Sequence, residues 1–366
     1  MSLTLPTTEQ YRDIVLQRTP LIDLRAPVEF AKGAFPEAVN LPLMSDEERH
    51  LVGIRYKEAG NDAAVALGHQ LVSGETKAAR VAAWIDQVQS APQTLMYCFR
   101  GGQRSQIAQQ WLHDAGITIP RLRGGYKAFR SYLIEQLEHI TLEKEILVIG
   151  GHTGSGKTIL LQKLSESIDL EALANHRGSS FGRYASPQPT QIDFENALAY
   201  ALITHDAQSH RRLIIEDESR NIGRVYIPPA LFGQFTQAKV ILLEASLQER
   251  IEITYDEYIL AAQADYAAAL ASGQIPYSWF ETMQHNFKRI RKRLGDQGYR
   301  EMSALLDEAW KHQLSTNDPS RHKAWIERLL QDYYDPMYAY QIEQKRERIV
   351  FRGDKKEIIE YLGCGF

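Results

Sequence analysis

Lys157 and Thr158 close the run LVIGGHTGSGKT (147–158), in which Gly151, Gly156, Lys157 and Thr158 fit the pattern G-x-x-x-x-G-K-[ST]. Placed between a strand and a helix, such a run turns backbone N–H groups inward, with Thr153, Gly154 and Ser155 completing the loop. The helix N-terminus adds positive potential, and the lysine reaches terminal phosphates. The implied ligand is a di- or triphosphate. The pattern selects phosphates without prescribing nucleotide hydrolysis. Downstream, LIIEDES (213–219) ends an apolar run in Glu216, Asp217 and Glu218. Acids at that place can hold Mg²⁺ together with the Ser/Thr after the lysine, or can be solvated turn residues.

A second constellation surrounds Cys98, which ends the apolar run TLMYC and is followed by FRGGQRS. The thiol therefore opens a short loop, with Arg100, Gly101, Gly102, Gln103 and Arg104, that closes on a helix N-terminus. Loop amides, the helix dipole and the two arginines favour a thiolate and an anionic substrate. The spacing C-x₅-R serves both cysteine phosphatases and sulfur-transferring rhodaneses. A phosphatase also needs an aspartic general acid, which sequence does not locate. The alternative is a buried, inert cysteine. Cys364, in LGCGF, lacks such surroundings and reads as incidental.

These loops require strands that deliver them and helices that follow. Apolar runs at PLIDL (20–24) and TLMYC (94–98) alternate with helical patterns at 76–89 and 105–116, as in βα units of a parallel sheet. A second series comprises EILVIG (145–150), RRLIIE (211–216) and AKVILLEA (238–245). The polar segment 130–144 separates the two series and predicts a helical connection. Beyond about residue 246 long helical patterns prevail, with no strand until IVF (349–351). The fold class expected is α/β: an N-terminal domain over 1–139 and a P-loop domain over 140–366, with a helical extension at about 246–345.

Composition narrows the setting. The 366 residues are 44% hydrophobic and 24% charged, as in ordinary globular proteins. A net charge of -4 gives no global polyanion signal, so a nucleic-acid partner must meet a local basic surface. Two cysteines far apart in sequence argue against a disulfide framework, and no apolar run is long enough to span a membrane. The N-terminus lacks a signal-peptide pattern, and a cytoplasmic protein is expected.

LIDLRAPVEFAKGAFPEAVNLP (21–42) and LRGGYKAF (122–129) resemble the opening and closing segments of the rhodanese domain. Gly33-Ala34 stands where that family usually has Gly-His. A rhodanese-like domain joined to a P-loop NTPase-like domain is similar to the bacterial tRNA 2-selenouridine synthase family. ALANHRGSSFG (172–182), PQPTQIDFEN (187–196), EDESRNIGRVYIP (216–228) and YYDPMYAYQ (333–341) resemble it too. The resemblance implies a transferase that replaces the sulfur of 2-thiouridine, at the tRNA wobble position, with selenium from selenophosphate. It also implies transfer of a geranyl group from geranyl diphosphate to that sulfur. No tightly bound cofactor is implied, and an enzyme supplying selenophosphate is an expected partner.

On that resemblance the P-loop stabilises departing pyrophosphate as the tRNA sulfur takes the geranyl carbon. Cys98 then carries selenium as a perselenide to C2 of the base, expelling the alkylthiol. NFKRIRKRLGDQG (286–298) puts Phe287, Ile290 and Leu294 on one helical stripe and Lys288, Arg289, Arg291, Lys292 and Arg293 around the rest. That face can track tRNA phosphates or be an ordinary solvated cationic helix. His176, Arg177, Ser179, Ser180, Arg220 and Asn221 are candidate substrate contacts. YYDPMYAYQ can stack on a base, line a prenyl pocket or serve as core. The rival readings are an ATP-dependent kinase fused to a sulfurtransferase or a phosphatase-like domain, and a non-catalytic phosphate sensor.

Overall fold

A computed structural model describes residues 4–139 and 144–363. The chain forms two compact units, one of residues 1–140 with 190–208 and one of 141–189 with 209–366. Cys364 and residues 140–143 of the expected connection lie outside the described residues.

The first unit is built on a parallel sheet. Its strands are β1 (Thr7–Thr8), β2 (Leu21–Asp23), β3 (Ala38–Asn40), β4 (Leu95–Tyr97) and β5 (Arg121–Leu122), in the order β1-β5-β4-β2-β3. The apolar runs at 20–24 and 94–98 form inner strands, buried along their length. The short strands β1, β3 and β5 were not among the expected runs, because two or three residues carry no readable alternation. Trp84, Met96, Ala108, Leu112 and Cys98 share one core cluster.

Helix Gln191–Ala207 also belongs to this unit, although its sequence lies inside the P-loop half. Its first turn meets the Gly33-Ala34 corner. Asp193 accepts the Ala34 N–H at 2.7 Å, and Asn196 donates to the Ala34 carbonyl at 2.6 Å. Gly33 stands at φ +152, and a Cβ there would come within 2.3 Å of Ile192. Arg130 on helix Gly125–His139 binds Asn196 and Glu195.

The second unit holds a parallel sheet of β6 (Glu145–Gly150), β7 (Arg212–Glu216), β10 (Lys239–Leu243) and β11 (Ile349–Gly353), in the order β11-β10-β6-β7. A separate hairpin pairs β8 (Asn221–Ile222) with β9 (Val225–Tyr226). Because β6 is flanked by β10 on one side and β7 on the other, the carboxyl end of β6 is where an open α/β sheet binds ligands. The predicted strands at 145–150, 211–216, 238–245 and 349–351 all appear within a residue or two of their expected ends. The tail is helical, with a long helix Trp279–Thr316 and a core of Trp279, Phe287, Leu306 and Trp325. Two π-helical turns, Asp256–Ala261 and Leu329–Tyr334, interrupt it. Among the described residues, no helix is long and apolar enough to cross a membrane.

Candidate functional site

The P-loop follows β6 as the pattern required. Gly151, at φ +154, brings its backbone against Leu243, where a Cβ would sit 2.8 Å from the Leu243 carbonyl oxygen. Among the described residues, the N–H groups of Gly154, Gly156, Lys157 and Thr158 meet no protein acceptor. The buried hydroxyls of Thr153 and Ser155 are likewise without partners. Buried donors left open in this way are what an oxyanion satisfies. Lys157 Nζ folds over the loop, 3.1 Å from the Gly151 carbonyl. Burial opposes its charge, yet Tyr338, Glu171, Glu218 and Asp217 hold its pKa above the ordinary lysine value.

The acidic trio beyond β7 divides its work. Glu216 accepts the Glu171 N–H at 2.9 Å, and Asp217 is paired with Lys345 at 2.5 Å. Glu218 lies against Glu171, which accepts from the Thr158 hydroxyl at 3.3 Å. Gly178, at φ +63, makes room for both, since a Cβ there would be 1.9 Å from Glu171 Oε1 and 2.6 Å from Glu218 Oε1. Burial first, and then the Asp169 and Glu171 carboxylates, raise the pKa of Glu216; burial and then Glu171 raise that of Glu218, and burial raises that of Glu171. Among the described residues, no three His, Cys, Asp or Glu side chains are grouped to hold a metal ion.

A raised carboxyl pKa penalises the folded state as pH climbs from the unfolded value, near 4.5, through the folded one. The penalty is absent below both values. Glu218→Gln is therefore expected to melt above the wild type at pH 8, by about 1 kcal/mol of stability, with the gap closing toward pH 4. Thermal melts of the ligand-free protein across that range check this, and an unchanged gap at both ends would refute it.

Residues distant in sequence hold this site. Arg250 donates to the Thr153 carbonyl at 2.9 Å and to Asp335 at 2.6 Å, and Asp335 also meets His152 Nδ1 at 3.1 Å. The P-loop is thus clamped from the helical tail, by the same YYDPMYAYQ segment that supplies Tyr338. Arg177 and Ser179 line the P-loop cavity with Glu257 and Tyr258. Ser179 bonds the Tyr258 hydroxyl at 2.6 Å, and Ser180 the Tyr333 hydroxyl at 3.3 Å. Tyr258 and Tyr333 lie on the two π-helical turns, irregularities that often mark functional positions. His176 is buried, and burial with Arg183, Arg177 and Arg289 lowers its pKa to about 4. Arg220 and Asn221 are exposed at the hairpin and do not line the cavity. Glu171 and Arg250 were missed in the sequence, where no motif marks them, and Asp335 lies in the YYDPMYAYQ string without having been singled out there.

In the first unit, Cys98 follows β4 and is 3% exposed. Its loop is pinned from below by the turn of LRGGYKAF: Tyr126 N–H donates to the Cys98 carbonyl and Lys127 N–H to that of Phe99, both at 2.9 Å. Gly125, at φ +60, permits the approach, because a Cβ would lie 2.2 Å from the Cys98 oxygen. Arg121 holds the Gly101 carbonyl at 2.7 Å. Among the described residues, the N–H groups of residues 99–105 find no acceptor. Arg104 is committed to Glu29 at 2.7 Å, whose pKa falls below the carboxylate norm because this pair, the Ala26 N–H and Arg49 outweigh burial. Gln103 and Arg104 also border an apolar cavity of about 170 Å³, walled by Met44, Val65, Ile107 and Trp111. Arg100 is exposed. The Asp23–Arg25 pair of the opening motif is buried at 2.6 Å and braces Tyr97 and Tyr126. It is framework.

The basic helix presents Lys288, Arg289, Arg291, Lys292 and Arg293 to solvent, over buried Phe287 and Ile290. The stripe ends with partly buried Leu294, since Gly295 at φ +73 breaks the helical path. Arg291 is paired with Asp296, and Arg293 donates to Tyr333.

A cysteine under an anion loop on one parallel sheet and a P-loop on another define a rhodanese-like domain joined to a P-loop domain. The family described as the tRNA 2-selenouridine synthase AAA domain matches residues 144–364, and the rhodanese-like domain family matches 7–132. A tRNA 2-selenouridine synthase of Sulfurovum sp. (strain NBC37-1) is 54% identical over 98% of both chains. Those of Hydrogenovibrio crunogenus and Shewanella frigidimarina are 48% and 46% identical, over 98% and 99% of both chains. The chain belongs to the tRNA 2-selenouridine synthase family.

Proposed function

We propose that the protein replaces sulfur by selenium in the wobble 2-thiouridine of tRNA, through an S-geranylated intermediate, and that its two loops divide the reaction. The observation that carries this reading is a pair of anion loops, each with unsatisfied donors, of which one holds a nucleophile and the other does not. Geranyl diphosphate sits with its diphosphate on the amides of the P-loop. Charge grows on the leaving pyrophosphate as the tRNA sulfur takes the geranyl carbon, and Lys157 with the open amides stabilises that charge. Thr158, Glu171 and Glu218 are the residues that would hold a divalent cation, which would offset the burial of the two carboxylates. At Cys98 selenophosphate is engaged, and selenium displaces geranylthiol from C2 of the base. The apolar cavity beside Gln103 and Arg104 suits the departing chain. The reaction requires tRNA, belongs in the cytoplasm and draws on an enzyme that makes selenophosphate.

The direct test follows the mass of 2-thiouridine tRNA with geranyl diphosphate alone, and then after selenophosphate is added. A gain of one geranyl group followed by its exchange for selenium is expected. A tRNA of unchanged mass would sink the reading.

Arg183, Arg224 and Arg289 supply a local basic surface for this tRNA. Burial lowers the Arg183 pKa, and Arg289 and Arg224 add to the fall, so like charges meet there. Arg289→Ala is expected to weaken tRNA binding several-fold at moderate salt and reduce the log–log salt slope by about one. Arg291→Ala, which loses a guanidinium already paired with Asp296, should change the slope less. Titrations at several salt concentrations decide it.

A further inference from the structure

We infer that Cys98 attacks the phosphorus of selenophosphate rather than its selenium, forming a Cys98 thiophosphate and freeing selenide inside the site, with Ser105 as the catalytic partner of the sulfur. This rests on the reading that Cys98 handles selenophosphate.

Electron balance separates the two modes of attack. Selenium in selenophosphate is already fully reduced on phosphorus(V). A perselenide on Cys98 would oxidise selenium and require phosphorus to leave as phosphite. Attack on phosphorus needs no redox partner. The Cys98 sulfur forms an S–P bond, the P–Se bond breaks, and its electron pair leaves on hydrogen selenide. Hydrogen selenide adds to C2 of the S-geranylated base, its proton passes to N3, and the C2–S bond breaks to give geranylthiol once protonated. Water then hydrolyses Cys98–S–PO₃²⁻ to phosphate and the free thiol.

The loop is arranged for a phosphoryl group. Cys98 and Arg104 stand in the C-x₅-R spacing with the Arg104 guanidinium held by Glu29, so the three equatorial oxygens fall to the N–H groups of residues 99–105, which have no acceptor among the described residues. Ser105, fully buried, follows Arg104 directly, with its Oγ 3.3 Å from Cys98 Sγ and 3.0 Å from the Gly102 carbonyl. In the thiol form the S–H donates to Ser105 and the Ser105 hydroxyl donates to Gly102. In the thiolate form that hydroxyl can turn to the sulfur, stabilising it as nucleophile and, at hydrolysis, as leaving group. A phosphatase acting on an alkoxide ester needs an acid over its leaving group. Selenide is weakly basic and departs without one, so a loop lacking an aspartic acid suffices.

The experiment mixes the full-length protein with selenophosphate, without tRNA, and reads the quenched Cys98 peptide by mass spectrometry and the phosphorus product by ³¹P NMR. A phosphoryl adduct on Cys98 and phosphate as product are expected. Ser105→Ala should accumulate about tenfold more adduct while slowing selenation about tenfold, with geranylation unchanged and the melting temperature lowered by only about 2–4 °C, the cost of one lost buried hydrogen bond. A selenium adduct, phosphite as product, or no phosphoryl adduct in either protein while tRNA is selenated would overturn the inference and leave the proposed function standing. Selenation by Cys98→Ser at the wild-type rate would instead remove Cys98 from the proposed function.

Discussion

Lys157→Ala is expected to lose geranylation of 2-thiouridine tRNA by about a thousandfold, while selenation of tRNA that is already geranylated persists. The size follows from what the lysine does when pyrophosphate departs. Removing one donor from a preorganised oxyanion site costs about a hundred- to a thousandfold in rate, and Lys157 adds a full, half-buried charge to that donor set. Its effect falls on kcat more than on KM, because the leaving-group charge is greatest in the transition state. The alanine also leaves Glu171 and Glu218 without their nearest cation, so some stability is lost as well. Selenation of the pre-geranylated substrate is the control that separates an unfolded protein from a disabled P-loop. Loss of both activities with an unchanged melting curve would show that the P-loop serves more than alkylation, and retention of both would remove it from the chemistry.

The P-loop was legible because all its parts are consecutive. Glycines, lysine and threonine lie within eight residues, and the strand before them carries an unbroken apolar run. What holds the loop was not legible. Arg250 and Asp335 lie 85 residues apart in sequence and meet only because two helices of the tail pack beside Thr153. A buried Arg–Asp pair has no local signature, since each residue alone resembles solvated surface. Glu171 was hidden in the same way. The run at 216–218 looked like one acidic cluster, but strand alternation and the turn after it send the three side chains to Glu171 N–H, Lys345 and the Glu171 carboxyl.

The rhodanese-like half shows the complementary limit. Cys98, its glycines and the two arginines were visible as a loop, and LRGGYKAF as a segment of similar pattern, but the reason for the pattern was geometric. Gly125 is there because the Cys98 loop rests on it, closer than any Cβ allows, and Gly124, at φ +70, because a Cβ would come within 2.4 Å of Ala128. The position of helix Gln191–Ala207 was beyond reach for another reason. Its apolar residues run all round, so no amphipathic face told which unit it would join, and its partners are the Ala34 backbone and Arg130. The substitution of alanine for histidine after Gly33 falls at that corner, where only backbone groups of Ala34 are used.

Cys98→Ser is expected to abolish selenation, by about ten-thousandfold or more, and to leave geranylation near the wild-type rate, so that S-geranylated tRNA accumulates as an end product. A serine hydroxyl is far less nucleophilic than a thiolate, and removal of the nucleophile of a covalent mechanism costs on this scale. The substitution is conservative for the fold. The Sγ occupies a buried place between Ser105 and the Gly102 carbonyl, where a hydroxyl can take up the same two bonds. Accumulation is the decisive readout, because a merely unstable protein would lose both steps together. Liquid chromatography with mass detection of digested tRNA resolves 2-thiouridine, its geranylated form and 2-selenouridine in one run. If geranylation fell in proportion to selenation, the division of labour between the two loops would be wrong, and Cys98 would have to act before the base is alkylated. If the geranylated base built up while selenophosphate remained unconsumed, the same thiol would be placed at the step that opens selenophosphate.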